Sequence, residues 1–147
     1  MFVIFDLDGT LSDSTHREHY VKRPVGQKDW DSFHAAAVYD PPKDAVLHTF
    51  LALQSAGHEI EIWTGRDEKY QAETLDWLAF NGIYNPTLKM RPTGDFTHDN
   101  ELKSRWLDEH IGERGKRVNM VFEDRQRVVD MWRGRGITCA QIAPGNF

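Results

Sequence analysis

Asp6 and Asp8 stand one residue apart directly after an apolar run, Val3-Ile4-Phe5, and Gly9-Thr10 follow at once. An Asp-Gly step that closes a strand is an ordinary turn signal, but such a turn needs only Asp8 and Gly9 and leaves Asp6 without a purpose. Polar groups recur at two comparable places: Thr64-Gly65-Arg66 after the run 58–63, and Glu123-Asp124 after the run 118–122. Each cluster alone reads equally well as a cap or turn. Three on one predicted edge point to a site, because ligands of open α/β sheets bind beyond the carboxyl ends of the strands.

Acids brought together without compensation repel, so a hard divalent cation is the natural neutraliser, and an all-oxygen donor set favours magnesium. With no cysteine cluster and no HExxH, zinc has little support. A carboxylate held by a metal can attack phosphorus and form an aspartyl phosphate. A second acid two residues along can protonate the leaving alkoxide and later activate water, which gives the Asp-x-Asp spacing a reason. Thr10, the backbone around Gly9 and the Thr64 hydroxyl can donate to non-bridging oxygens, and Arg66 suits bidentate contact with phosphate or a neighbouring acid. Lys103 could reach in as a point charge, although a lone helical lysine more often belongs to a solvated face.

The elements that must position these groups alternate. After the strand 3–5, Ala45, Leu47, Phe50, Leu51 and Leu53 recur at helical spacing between Pro41-Pro42 and Gly57, and the strand 58–63 follows. A helix over 67–81, with Thr74, Leu75, Leu78 and Phe80, closes at Gly82. Then come a strand at 87–90, a helix at 99–111, a strand at 118–122, a helix opened by Glu123 and Asp124 through Arg133, and a strand at 137–142. This pattern predicts one Rossmann-like, doubly wound α/β domain over residues 1–147, with a mainly parallel five-stranded sheet and helices on both faces. The stretch 12–40, interrupted by Pro24 and Gly26, breaks the alternation and reads as a small flap over the sheet's mouth.

The chain has 147 residues, a net charge of −5 and one cysteine, Cys139. The charge argues against a broad grip on duplex nucleic acid, and a small or end-bound anion fits better. A single cysteine allows no internal disulfide, the N-terminus reads as a core strand rather than a leader or anchor, and no apolar run spans a bilayer. A soluble cytoplasmic protein is expected.

The set Asp6-Leu7-Asp8-Gly9-Thr10, Thr64-Gly65-Arg66, Lys103 and Glu123-Asp124 resembles the signature of the haloacid dehalogenase-like phosphohydrolase superfamily. Residues 123–147, EDRQRVVDMWRGRGITCAQIAPGNF, narrow the resemblance to the 3′-phosphatase domain of phage polynucleotide kinase-phosphatase, as do Arg17 after the first motif and the pair Asp99 and Lys103 after Gly94-Asp95. The resemblance implies Asp6 as nucleophile, Asp8 as general acid/base, and a magnesium site of Asp6, Asp8 (through its backbone carbonyl) and Asp124. It further implies Arg17, Arg66 and Asp99 as essential supports, and Gly9, Thr10, Thr64, Gly65, Arg66 and Lys103 around the phosphate. Glu123 replaces the first acid of the usual pair and Asn146 the acid near the C-terminus.

No GxxxxGK[ST] motif occurs, so a kinase or ligase activity would come from a separate partner. The expected function is removal of 3′-phosphates from nucleotides or DNA or RNA ends. The alternatives are a 5′-nucleotidase or small-metabolite phosphatase of the same superfamily, and a receiver-like module phosphorylated on Asp. Substrate choice is assigned to the flap, where Tyr20, Trp30, Phe33 and His34 interleave with Arg17, Lys22, Arg23 and Lys28. Trp30 and Phe33 have an equally good reading as residues that merely bury the flap. Trp77, Trp106 and Trp132 are expected to pack helices on the sheet, and Trp63 to border the site.

Overall fold

A computed structural model describes residues 1–115 and 117–145 of the chain, so Asn146 lies outside them. Strand β1, Phe2–Phe5, is buried along its whole length because it is the middle of the sheet. It pairs in parallel with β2, Glu59–Asp67, on one side and β4, Met120–Glu123, on the other. With β3, Thr87–Arg91, and β5, Thr138–Gln141, the order is β3-β2-β1-β4-β5, and every pairing is parallel. Strand order therefore reverses between β1 and β4, and a crevice opens there at the carboxyl ends. Receiver modules have the order 2-1-3-4-5, in which β1 pairs with β3, so this sheet is wound differently.

The helices are α1 (Trp30–Ala35), α2 (Asp44–Ser55), α3 (Gln71–Phe80), α4 (Asp99–Arg114) and α5 (Gln126–Gly134). Alternation along β1 divides the core into two layers. Phe2 and Ile4 pack with Leu102 and Trp106 of α4 and with Val128, Val129 and Trp132 of α5. Val3 and Phe5 pack on the opposite face with Val46, Leu47 and Phe50 of α2 and with Trp77 and Leu78 of α3. No described helix is long and apolar enough to cross a membrane.

Several boundaries differ from the sequence expectation. Strand β2 runs past Thr64 to Asp67, with a register irregularity between them, and a 3₁₀ turn at Glu68–Tyr70 precedes α3. Glu123 is the last residue of β4 and Asp124 lies in the loop before α5, so neither belongs to the helix. On α3 the buried positions are Thr74, Trp77 and Leu78, while Phe80 is 91% exposed. Trp63 does not border the site. Its ring meets Trp106 and Trp132 in the core, at centroid separations of 6.0 and 5.9 Å, and its indole N–H donates to Glu61.

The flap has a definite conformation, made of 3₁₀ turns at Thr15–Tyr20 and Ala36–Tyr39 around α1. Its ends are pinned together, since Asp13 N–H donates to the Pro41 carbonyl and Lys43 N–H to that of Leu11. Val21, Phe33 and Ala37 are its buried apolar side chains.

Trp132 is fully buried where α5 meets the sheet, so truncating it leaves a cavity that a rigid parallel sheet closes poorly. Trp132→Ala is expected to lower the unfolding free energy by about 3–5 kcal/mol, read from the urea midpoint.

Candidate active site

Strand β1 ends in the fully buried aromatic Phe5, and the next carboxylate, Asp6, is held by Lys103 and Thr10. Lys103 Nζ lies 2.6 Å from Asp6 Oδ1 and 2.7 Å from Glu123 Oε2, and Thr10 Oγ1 donates to Asp6 Oδ2 at 3.3 Å. Lys103 sits on the second turn of α4 and is 3% exposed, so its ammonium is a buried bridge rather than part of a solvated face. Glu123 turns its other oxygen back to the backbone N–H groups of Asp124 and Arg125. Asp124 completes the group: ligand oxygens of Asp6, Glu123 and Asp124 all lie within 4.8 Å of one another.

Two glycines make room for Asp124. A Cβ on Gly9, whose φ is +85°, would stand 2.1 Å from Asp124 Oδ2, and one on Gly145 would stand 2.4 Å from the Asp124 carbonyl oxygen. The Asp-Gly turn is thus both a reversal and a clearance for the facing acid.

Asp8 points into a different set of partners. Arg17 Nη2 and Arg66 Nη2 each approach Asp8 Oδ1 at 2.5 Å, and Arg66 Nε reaches Oδ2 at 3.3 Å. Both guanidiniums are themselves positioned. Arg17 is fully buried, grips Asp40 through Nε at 2.8 Å and Nη2 at 2.5 Å, donates to the Phe33 carbonyl, and lies 4.0 Å over the Phe33 ring. Arg66 donates to Thr74 Oγ1 at 2.9 Å, and Thr74 donates in turn to the Tyr70 carbonyl. Asp40 also takes His16 and has its carbonyl bonded by Trp77 N–H.

Of the other expected site residues, Thr64 is buried and its hydroxyl accepts from Arg66 N–H, leaving its own proton to donate. Gly65 offers its carbonyl to Arg91 Nε at 2.8 Å. Asp99 is bound by Arg125 and, at 2.9 Å, by Arg127 Nε, outside the Asp6 cluster. The structure thus brings Asp6, Lys103 and Asp124 together with Glu123, and Asp8 together with Arg17 and Arg66. The Asp8 carboxylate stands apart from the three-acid cluster, which Glu123 joins through its own carboxylate. Asp40 and Thr74 escaped the sequence reading, because a lone Asp before two prolines and a lone helical threonine carry no spacing signal.

Charge divides the acids into two kinds. Burial and the nearby Glu123 raise Asp6 above the ordinary carboxylate range, against the pull of Lys103. Burial, then the Asp6 and Glu123 charges, raise Asp124 as well. Burial would raise Asp8 too, but Arg66 and Arg17 outweigh it and hold its carboxyl far below that range. One ammonium cannot balance three acids, and the donors are all carboxylate oxygens, so Asp6, Glu123 and Asp124 suit a hard divalent cation.

A family model described as the polynucleotide kinase PNKP phosphatase domain matches residues 1–147. Among solved structures, two chains of the Pnkp1/Rnl/Hen1 RNA repair complex align over 99% of this chain, with 30% identity and TM-score 0.77 in one and 31% and 0.80 in the other. This chain covers 43% and 46% of those chains, so it spans less than half their length. The class C acid phosphatase from Bacillus anthracis aligns over 86% of this chain and 52% of its own at 14% identity and TM-score 0.61, a likeness of fold.

A carboxyl whose folded pKa is raised stabilises the fold at low pH and loses that contribution as pH rises through the raised value. Asp6 and Asp124 are of this kind, whereas the depressed Asp8 is ionised throughout the accessible range. The melting temperature of metal-free protein is expected to fall between about pH 5 and about pH 8, and added Mg²⁺ to raise it more at the higher pH. Scanning fluorimetry across that interval reads both effects, and a metal increment that does not grow with pH contradicts the assignment.

Proposed function

This chain belongs to the polynucleotide kinase PNKP phosphatase domain family of haloacid dehalogenase-like phosphatases, and from that premise we propose that it is a magnesium-dependent phosphomonoesterase acting on 3′-phosphates of nucleotides or nucleic-acid ends. The observation that carries this reading is the separation of the two acids of the Asp-x-Asp pair. Asp6 faces Lys103 and the acidic cluster, and Asp8 faces two arginines, so neighbouring carboxylates are prepared for opposite tasks.

In the proposed mechanism the Asp6 carboxylate attacks phosphorus, the ester P–O bond breaks, and Asp8 gives a proton to the departing alkoxide. Asp8 then takes a proton from water as that water attacks the phosphorus of phospho-Asp6, releasing phosphate and restoring Asp6. Asp6, Asp124 and either Glu123 or the Asp8 carbonyl would hold Mg²⁺, which supplies charge neutralisation to the phosphate oxygens when bound. Lys103 holds Asp6 in line and balances its charge. Thr10 and Thr64 hydroxyls and the Gly9 and Gly65 backbone are the neutral groups nearest the phosphate's expected seat.

The resting structure favours the base form of Asp8, since two guanidiniums stabilise its anion. An incoming phosphate competes for the same Arg17 and Arg66 donors, and every hydrogen bond they transfer to phosphate makes Asp8 easier to protonate. Substrate binding thereby prepares the acid that the first step needs. Asp99, fixed by Arg125 and Arg127, acts as a support beside Gly65, where its Cβ lies 3.7 Å from the position of an added glycine Cβ.

The family resemblance and the aligned RNA repair chains support a phosphorylated nucleic-acid end as substrate and a separate kinase or ligase as partner. Hydrolysis should be multiple-turnover with Mg²⁺ and abolished by EDTA and by Asp6→Asn, while Asp8→Asn should lower kcat about 10²–10⁴-fold. A 3′-phosphorylated oligonucleotide and a 3′-mononucleotide should be cleaved comparably and 5′-phosphates less well. A preference for 5′-mononucleotides or sugar phosphates would overturn the 3′ assignment. Phosphorylation of Asp6 without turnover would overturn the enzyme itself.

A further inference from the structure

The flap ends in a group of aromatic rings that the proposed chemistry does not use. Phe33 is 4% exposed and accounts for the packing of α1, whereas Trp30 remains 41% exposed. The Trp30 and His34 rings are stacked, with centroids 6.0 Å apart and planes 26° from parallel. Tyr70 closes the group from β2's side of the crevice, 5.6 Å from His34.

This group is wired to both arginines that hold Asp8. On one side Trp30 meets Phe33 edge-on at 5.8 Å, and Phe33 lies beneath Arg17. On the other, the Tyr70 backbone carbonyl accepts from Thr74, whose hydroxyl accepts from Arg66. His34 lies partly buried between the Trp30 and Tyr70 rings. Burial pushes its pKa down to about 4, so the ring is neutral at ordinary pH, and its Nδ1 has no hydrogen-bond partner among the described residues. Lys28 Nζ lies over the Trp30 ring, 5.7 Å from its centroid, and Lys69 Nζ over that of Tyr70, at 5.1 Å.

We propose that Trp30 and His34, backed by Tyr70, form a stacking platform for the base of the nucleotide whose phosphate is removed. An exposed indole beside a neutral imidazole offers flat apolar area without reading base identity, and Lys28 suits an adjacent phosphodiester, Lys69 being paired with Asp31 at 2.6 Å. The platform therefore selects nucleotides over other phosphate esters while tolerating every base. This rests on the phosphatase reading above and adds the subsite that recognises the leaving group.

The test compares a 3′-mononucleotide with the matching abasic deoxyribose 3-phosphate on wild type, Trp30→Ala and Trp30→Phe. Wild type should prefer the nucleotide in kcat/KM, and Trp30→Ala should reduce that preference about tenfold, mainly through KM. Trp30→Phe, which keeps a flat ring, should recover most of it. Equal losses on the two esters in Trp30→Ala would show a purely structural role and overturn the platform. Equal wild-type turnover of the two esters would overturn it while leaving the phosphatase reading intact, and turnover of neither would overturn both.

Discussion

Asp6, Asp8, Glu123 and Asp124 are all brought to the carboxyl ends of two adjacent strands, where their mutual repulsion and loss of solvation would oppose folding. The surrounding structure answers that repulsion. Lys103 is aimed by α4 between Asp6 and Glu123, and Arg17 and Arg66 arrive from the flap and from β2 to meet Asp8. Buried ion pairs of this kind seldom add much net stability, because desolvation consumes most of the attraction. Their effect is to fix geometry. Removing one partner would leave an uncompensated charge in a dry place, so the acids and cations stand or fall as a set.

That division explains why the flap exists. Arg17 cannot reach Asp8 from any element of the sheet, and the flap delivers it with Asp40 as a second anchor at the flap's far end. The pinned ends at Asp13–Pro41 and Leu11–Lys43 close the segment into a compact loop, which lowers the entropy lost in placing one guanidinium. Phe33 then does double service, since its carbonyl accepts from Arg17 and its ring covers it.

The sheet was legible because periodicity survives in buried parallel strands: residues 3–5 and 58–63 fall on β1 and β2, and the glycine stop at Gly82 lies just beyond α3. The limits of β4 and α5 were not, because Glu123-Asp124 looks like a helix start while the carboxylate of Glu123 is in fact drawn toward Lys103 at the strand's end. Helix spacing also misplaced Phe80, for the core-facing stripe of a ten-residue helix holds Thr74, Trp77 and Leu78 and leaves Phe80 in solvent. Of the candidate site, Asp6, Asp8, Thr64, Arg66 and the late acidic pair could be read from strand ends. Arg17, Asp99 and Lys103 came from the family likeness, because an Arg in an irregular segment and charged residues on a polar helix have no distinguishing pattern. Asp40 and Thr74 act only through those arginines, and a partner chosen by tertiary contact leaves no local trace.

Under the proposed function, the two faces of the flap would bind selectivity to rate. Its inner face carries Arg17 onto Asp8, and its outer face carries Trp30 and His34, with Phe33 touching both. A base settling on the outer rings, as proposed, would rest on the same short helix whose Phe33 carbonyl accepts from Arg17. Because Arg17 also sets how readily Asp8 accepts a proton, occupancy of the platform and protonation of Asp8 share one mechanical element. In the mechanism proposed above, a cleft with so small a cover would gain from that linkage what a large closing cap supplies elsewhere, an acid readied only with a suitable leaving group in place.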